Sequence, residues 1–181
     1  LLRLASNEQL TTDSRGLIEQ ADRLMRHPHF GRFITDFTDA WLNLREIDFT
    51  APDSTLFPEY DQFLHDSILK ETRSFIEELI HANHPVSAVV KSDFAMLNSR
   101  LAAHYGIPGV QGVQLRKVSL PRDSVRGAIL SQASVLKVTA NGTNTSPVVR
   151  GVWVMERIMG VTPPPPPPGI PGVEPAIRGA S

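Results

Sequence analysis

The chain has 181 residues, with 18 Lys and Arg against 19 Asp and Glu, 41% hydrophobic residues, 15 Pro, 12 Gly and no Cys. The lack of Cys excludes a disulfide framework, thiolate-ligated metal, iron–sulfur clusters and c-type haem attachment within these residues, and the near-neutral charge argues against a protein that tracks nucleic-acid phosphates. No apolar run approaches the ~20 residues a membrane span requires, and no signal peptide is visible.

The chain begins in mid-pattern at Leu1, as expected of a piece of a longer protein. Thr11, Thr12 and Asp13 offer N-caps for a helix whose apolar positions are Leu17, Ile18, Ala21, Leu24 and Met25. His27-Pro28 interrupts it, and Pro28 suits the first turn of a second helix. In that helix Phe30, Phe33, Ile34, Phe37, Trp41 and Leu44 predict one buried stripe, with Trp41 a core residue. Residues 48–58 read as a loop, and Pro58 as the start of a helix running to about Ala82. Its inner face carries Tyr60, Phe63, Leu64, Ile68, Phe75, Ile76, Leu79 and Ile80, but also Glu71 and Thr72. His84-Pro85 closes it, a short helical turn covers Val86–Lys91, and a further helix covers Leu97–Tyr105 with Gly106 as its left-handed cap.

Beyond Gly106 glycine and proline punctuate shorter segments. Residues 125–138 alternate small and apolar residues, compatible with helix or close backbone packing, and any sheet is expected to be limited to one short strand pair around residues 113–120 and 134–139. Asn141-Gly142 marks a turn. Ser146-Pro147 opens a helix that reaches Met159 and stops at Gly160. Pro163–Pro168 should form an extended rod of about 19 Å, followed by linker. The expected fold is mainly α, an orthogonal helical array (1–108) with a smaller Gly-rich subdomain (109–162), then the polyproline tail (163–181).

Charge is shared unevenly, with 10 basic and 16 acidic groups in residues 1–100 against 8 and 3 in 101–181. Either the halves exchange charge where they pack, or Arg116, Lys117, Arg122, Arg126 and Arg150 form a cationic face for an anion. The histidine pairs His27/His29 and His81/His84 straddle helix breaks, and Glu78-x-x-His81 lacks the second copy that a di-iron bundle needs, so no metal site is assigned. Neither a nucleophile elbow nor a phosphate-cradling loop occurs, so no catalytic residue is assigned and the question of enzymatic activity stays open. Two glycosylation sequons, at Asn141 and Asn144, matter only in a secretory eukaryotic setting. Glu71, as a carboxylate on an apolar face, should be paired with Arg45, Arg73 or Arg100, so that Glu71→Gln lowers stability. A hydrolase-like reading around Glu71 and His104 ranks below the others.

Several strings are more specific: 31–45 (GRFITDFTDAWLNLR), 56–60 (LFPEY), 97–109 (LNSRLAAHYGIPG), 126–136 (RGAILSQASVL) and 144–168, from NTSPVVRG through the polyproline run. In this order the chain resembles planctomycete-type proteins that carry c-type cytochrome domains, specifically DUF1592 followed by the N-terminal part of DUF1588. The resemblance implies a haem-free section of an exported protein, periplasmic or at the cell surface. It places a Cys-x-x-Cys-His haem segment downstream, in the cytochrome-like domain that would be its partner. On that reading Arg150, Trp153 and Arg126 are the haem-adjacent candidates, and the role is support of electron transfer. The alternative is a cell-surface interaction module without chemistry. One departure from the family is Ala95, where relatives carry a threonine after an aromatic residue.

Overall fold

The computed structural model describes residues 14–164. The cap candidates Thr11, Thr12 and Asp13, and the tail from residue 165, lie outside them. Within the described residues the fold is mainly helical, with one two-stranded antiparallel pair. The chain divides into two compact units, Leu1–Asp36 and Phe37–Ser181.

In the first unit, α1 (Ser14–Met25) ends at the predicted break. Pro28 lies in the turn rather than in the next helix, and α2 (Phe30–Trp41) starts two residues later. The buried line is Ile34 and Thr38 of α2 and, just past its end, Leu42, spaced by four, whereas Phe33 and Phe37 are 51% and 41% exposed. Trp41 is only half-buried, so the predicted stripe is rotated off the core side. Leu44 is buried but belongs to a 3₁₀ segment, Leu44–Phe49, which replaces the start of the expected loop. Asn43 breaks the helix by adopting φ 58°, a left-handed conformation that Asn tolerates.

The second unit takes in α2 from Phe37 and the Leu44–Phe49 segment, and within it α3 (Gln62–His81) is capped by Asp61 rather than started by Pro58. The Asp61 carboxylate accepts the Leu64 N–H at 2.6 Å, satisfying an orphan donor that proline cannot address. That bond also holds the Asp61 carboxyl below the usual range. The buried face is Leu64, Ser67, Ile68, Glu71, Thr72, Phe75, Ile76 and Leu79, while Phe63 points outward.

Strand β1 (Phe94–Leu97) occupies what reads as the approach to a helix, and α4 (Ser99–Tyr105) starts only after it. Asn98 sets that boundary: its Oδ1 accepts the Leu101 N–H at 2.9 Å, and its amide donates to Ser67 Oγ. β1 pairs with β2 (Arg116–Ser119), Phe94 opposite Ser119 and Leu97 opposite Arg116. The other expected strand, 134–139, is instead α5 (Ala133–Val138). Its Val-rich sequence favours a strand locally, but burial of Val135 and the Ser134–Thr72 hydroxyl bond (2.5 Å) against α3 decide for helix. One core cluster joins Ile47, Leu64, Ile68, Leu97, Leu101 and Ala133.

The last helix, α6 (Pro147–Arg157), starts as predicted, with Ser146 Oγ accepting the Val149 N–H and Pro147 in the first turn. It ends two residues before Met159. Two indoles stitch its C-terminal half to the end of α2. Trp153 Nε1 donates to Leu42 O (3.1 Å), and Trp41 Nε1 donates to Arg157 O (2.6 Å). Trp153 is buried, so Trp153→Ala is expected to lower unfolding free energy by about 3–5 kcal/mol, measured by urea denaturation.

Candidate functional site

The strongest concentration of unusual chemistry lies where α3, α4 and the segment before α5 meet. Glu71 is 1% exposed. Its Oε2 accepts the Tyr105 hydroxyl at 2.6 Å, and the same hydroxyl accepts the Ala133 N–H at 2.8 Å. Tyr105 thus sits between a backbone donor at the start of α5 and a carboxyl on α3. The Arg126 guanidinium lies over the Tyr105 ring, 4.3 Å from its centroid, and donates to Ser131 O at 2.6 Å.

Burial pushes the Glu71 carboxyl up to about 8, against the smaller opposing pull of the Tyr105 hydroxyl and the Arg126 charge. At neutral pH Glu71 is therefore largely a carboxylic acid. Burial also raises the Tyr105 phenol well above its ordinary value. Among the described residues the expected ion pair of Glu71 with Arg45, Arg73 or Arg100 is not formed. Arg73 is taken by Asp39 in a two-pronged bond (2.9 and 2.7 Å), and Arg100 by Asp61. A small cavity of about 10 Å³, enough for one water, is lined by Glu71, Ala95, Tyr105, Arg126 and Gln132. The Gln132 side-chain oxygen is buried without a hydrogen-bond partner among the described residues.

Arg126 faces the other way as well. It lines an open cavity of about 860 Å³ together with Lys91, Arg122, Ser92 and Ser124, where Asp93 is the acidic residue. Among the described residues no carboxylate forms an ion pair with Arg126. With Glu71 neutral, its charge is available to an anion entering the cavity. The floor of the cavity is built by close approach of two backbones: Ser92 N–H donates to Gly127 O at 2.5 Å, and Gly127 has φ +108°.

The proposed cationic face is partly dispersed. Lys117 pairs with Glu78 (2.7 Å), and the Arg116 guanidinium is held by the Gln111 carbonyl. Arg150, at the start of α6, donates to the Thr139 and Thr145 hydroxyls rather than to an acid. Arg122 and Arg126 share the cavity, and sequence reading missed Lys91 because it lies in the acidic half of the chain. Of the three haem-adjacent candidates, Arg126 alone lines this cavity; Trp153 spends its N–H on Leu42 and Arg150 its charge on hydroxyls. The His104 ring lies 5.4 Å from that of Tyr105, tilted by 48°, but lines a different, apolar cavity, and no hydrogen bond joins it to Glu71. No group of three or more His, Asp or Glu able to hold a metal occurs among the described residues.

Comparison with protein families places this geometry in context. The model of PSD4, a protein family of unknown function (DUF1592), matches residues 1–107. The chain belongs to the PSD4 family. A second model, PSCyt3, also of unknown function (DUF1588), matches residues 126–180. Both are cytochrome-associated domains of planctomycetes. The PSD4 match supplies Glu71, Ala95 and Tyr105, and the PSCyt3 match begins at Arg126, so the two meet at this cluster. No curated protein and no solved structure matches the chain.

Proposed function

We propose that this chain is a haem-free supporting section of an exported c-type cytochrome protein, and that its Arg126 cavity receives the anionic edge of a haem-bearing neighbour during electron transfer. The observation that carries the reading is the unneutralised Arg126, flanked by Arg122 and Lys91 on an open cavity, within a chain of cytochrome-associated domains. With no Cys among the 181 residues, the chain does not fit a covalently attached c-type haem, so that group is assigned to other sequence of the full-length protein. What these residues supply is electrostatic: three cations beside low-dielectric walls attract carboxylates such as haem propionates. Tyr105 and the Ser131 carbonyl hold the Arg126 plane in place, so little side-chain freedom is lost on binding.

The test is the full-length protein purified after export. Its reduced spectrum is expected to show the bands of covalently attached haem. Arg126→Gln is expected to lower the haem midpoint potential, because removing a nearby positive charge favours the oxidised form. A full-length protein without haem, or a potential unmoved by Arg126→Gln, would refute the reading.

A further inference from the structure

We propose that the open cavity at Arg126 takes up an anion and a proton together, the proton being held by Glu71, so that a dicarboxylate binds while the Glu71 side chain is an uncharged acid and is released as that side chain ionises. This rests on the reading of the cavity as an anion site, whatever molecule carries the anion.

The two groups are coupled through a shared wall. Phe94, Arg126, Gly127, Ala128 and Ser131 line both the open cavity and the small one that Glu71 borders. Arg126 is fixed in this wall by its bond to Ser131 O and by the Tyr105 ring against its guanidinium. One cation thus serves a carboxyl in the interior and whatever anion enters from solvent. While Glu71 keeps its proton, the Arg126 charge is left to the anion. Once Glu71 is a carboxylate, it offsets part of that charge at a depth where water screens little.

The surroundings of Glu71 hold no substitute for Arg126 among the described residues. β1 brings Phe94 and Ala95 to the small cavity, the segment before α5 brings Ser131 and Gln132, and α4 brings Tyr105, whose hydroxyl already donates to Glu71. Arg126 pulls the carboxyl toward ionisation, and burial outweighs that pull. An anion that neutralises Arg126 from the open side weakens the pull, so Glu71 holds its proton to higher pH. By reciprocity, the proton on Glu71 strengthens the anion by the same factor. Around Arg126 the other charged or titratable groups are Lys91, Arg122, Asp93 and His84 in the open cavity, and His104 on α4. Burial lowers the His104 pKa, which places its titration below that of Glu71. His84, 3.6 Å from Glu78, is common to the wild type and Glu71→Gln, so their comparison isolates Glu71.

The test titrates the 181-residue chain with glutarate, whose two carboxylates stay ionised from about pH 6.5 to 9.5, at constant ionic strength. Carbon-detected NMR follows the Glu71 carboxyl, and calorimetry gives the affinity. Saturating glutarate is expected to raise the titration midpoint of Glu71. Glutarate is expected to bind about fivefold or more tightly at the acid end of the range than at the alkaline end. Glu71→Gln is expected to flatten that dependence, and Arg126→Gln to abolish both glutarate binding and the response of Glu71 to it. A midpoint that glutarate leaves in place, the same pH dependence in the wild type and Glu71→Gln, or no binding of glutarate anywhere in the range would overturn the proposal. Linked binding of glutarate and a proton in a protein whose haem potential ignores Arg126→Gln would uphold it while refuting the electron-transfer reading.

Discussion

The stability of the wild-type chain is expected to fall as pH rises from about 5 to 8, relative to a Glu71→Gln variant. The folded carboxyl of Glu71 titrates near 8, the unfolded one near 4.3. Between these values the folded state keeps a proton that the unfolded state releases, so stability declines by about 1.4 kcal/mol per pH unit. The contribution is fully present below the unfolded value and gone once pH passes the folded one, several kcal/mol in all. Asp61, Asp66 and Glu78, whose carboxyls are held low, act with opposite sign and in more acidic solution. His104, lowered by burial, also opposes the trend; comparison with Glu71→Gln removes these shared terms. The variant accepts from Tyr105 as the acid does, so it is expected to match or exceed the wild type at pH 8, contrary to the loss that an arginine pair would impose. Parallel melting curves across this window would mean that Glu71 is ionised in the folded state.

Gly127→Ala is expected to be the most damaging of the small substitutions. A Cβ there would lie 2.3 Å from Ser92 O and 2.9 Å from Leu120 Cδ1, at φ +108°. The backbone conformation alone costs a side-chain-bearing residue about 1–3 kcal/mol. Separating the 92 and 127 backbones breaks their hydrogen bond as well, taking the expected loss above about 3 kcal/mol. Gly151→Ala is the matched control: it lies within α6 and its Cβ meets nothing within 4 Å, so a gain of about 0.5–1 kcal/mol is expected. Urea midpoints for the two variants that agree with each other would show that the close approach at Gly127 is not required.

The sequence is most legible where one local rule decides. The Ser146-Pro147 start, the Gly106 cap and the helical face containing Glu71 are all found in place. It is least legible where a distant partner decides. The pattern over residues 134–139 allows either a short strand or a helix, and Thr72 on the α3 face decides for helix. Phe94–Leu97 pairs with a segment some twenty residues on, which spacing alone does not disclose. The position of Glu71 was readable from four-residue spacing; its partner was not, because Tyr105 sits on another helix and no charge marks it. Arg126 stood out by charge, whereas Lys91 joins it only through the approach of residues 92 and 127.

The cavity's proposed role is tested most directly by titrating the ¹⁵N-labelled chain with the haem-bearing section that the proposal assigns to the full-length protein, produced separately, while following arginine side-chain and backbone amide signals. Shifts are predicted for Arg126, Arg122 and the backbone around Lys91 and Ser92, fading as salt is raised through the range that screens carboxylate–guanidinium attraction. Unchanged spectra, or shifts that leave Arg126 untouched, would contradict the account.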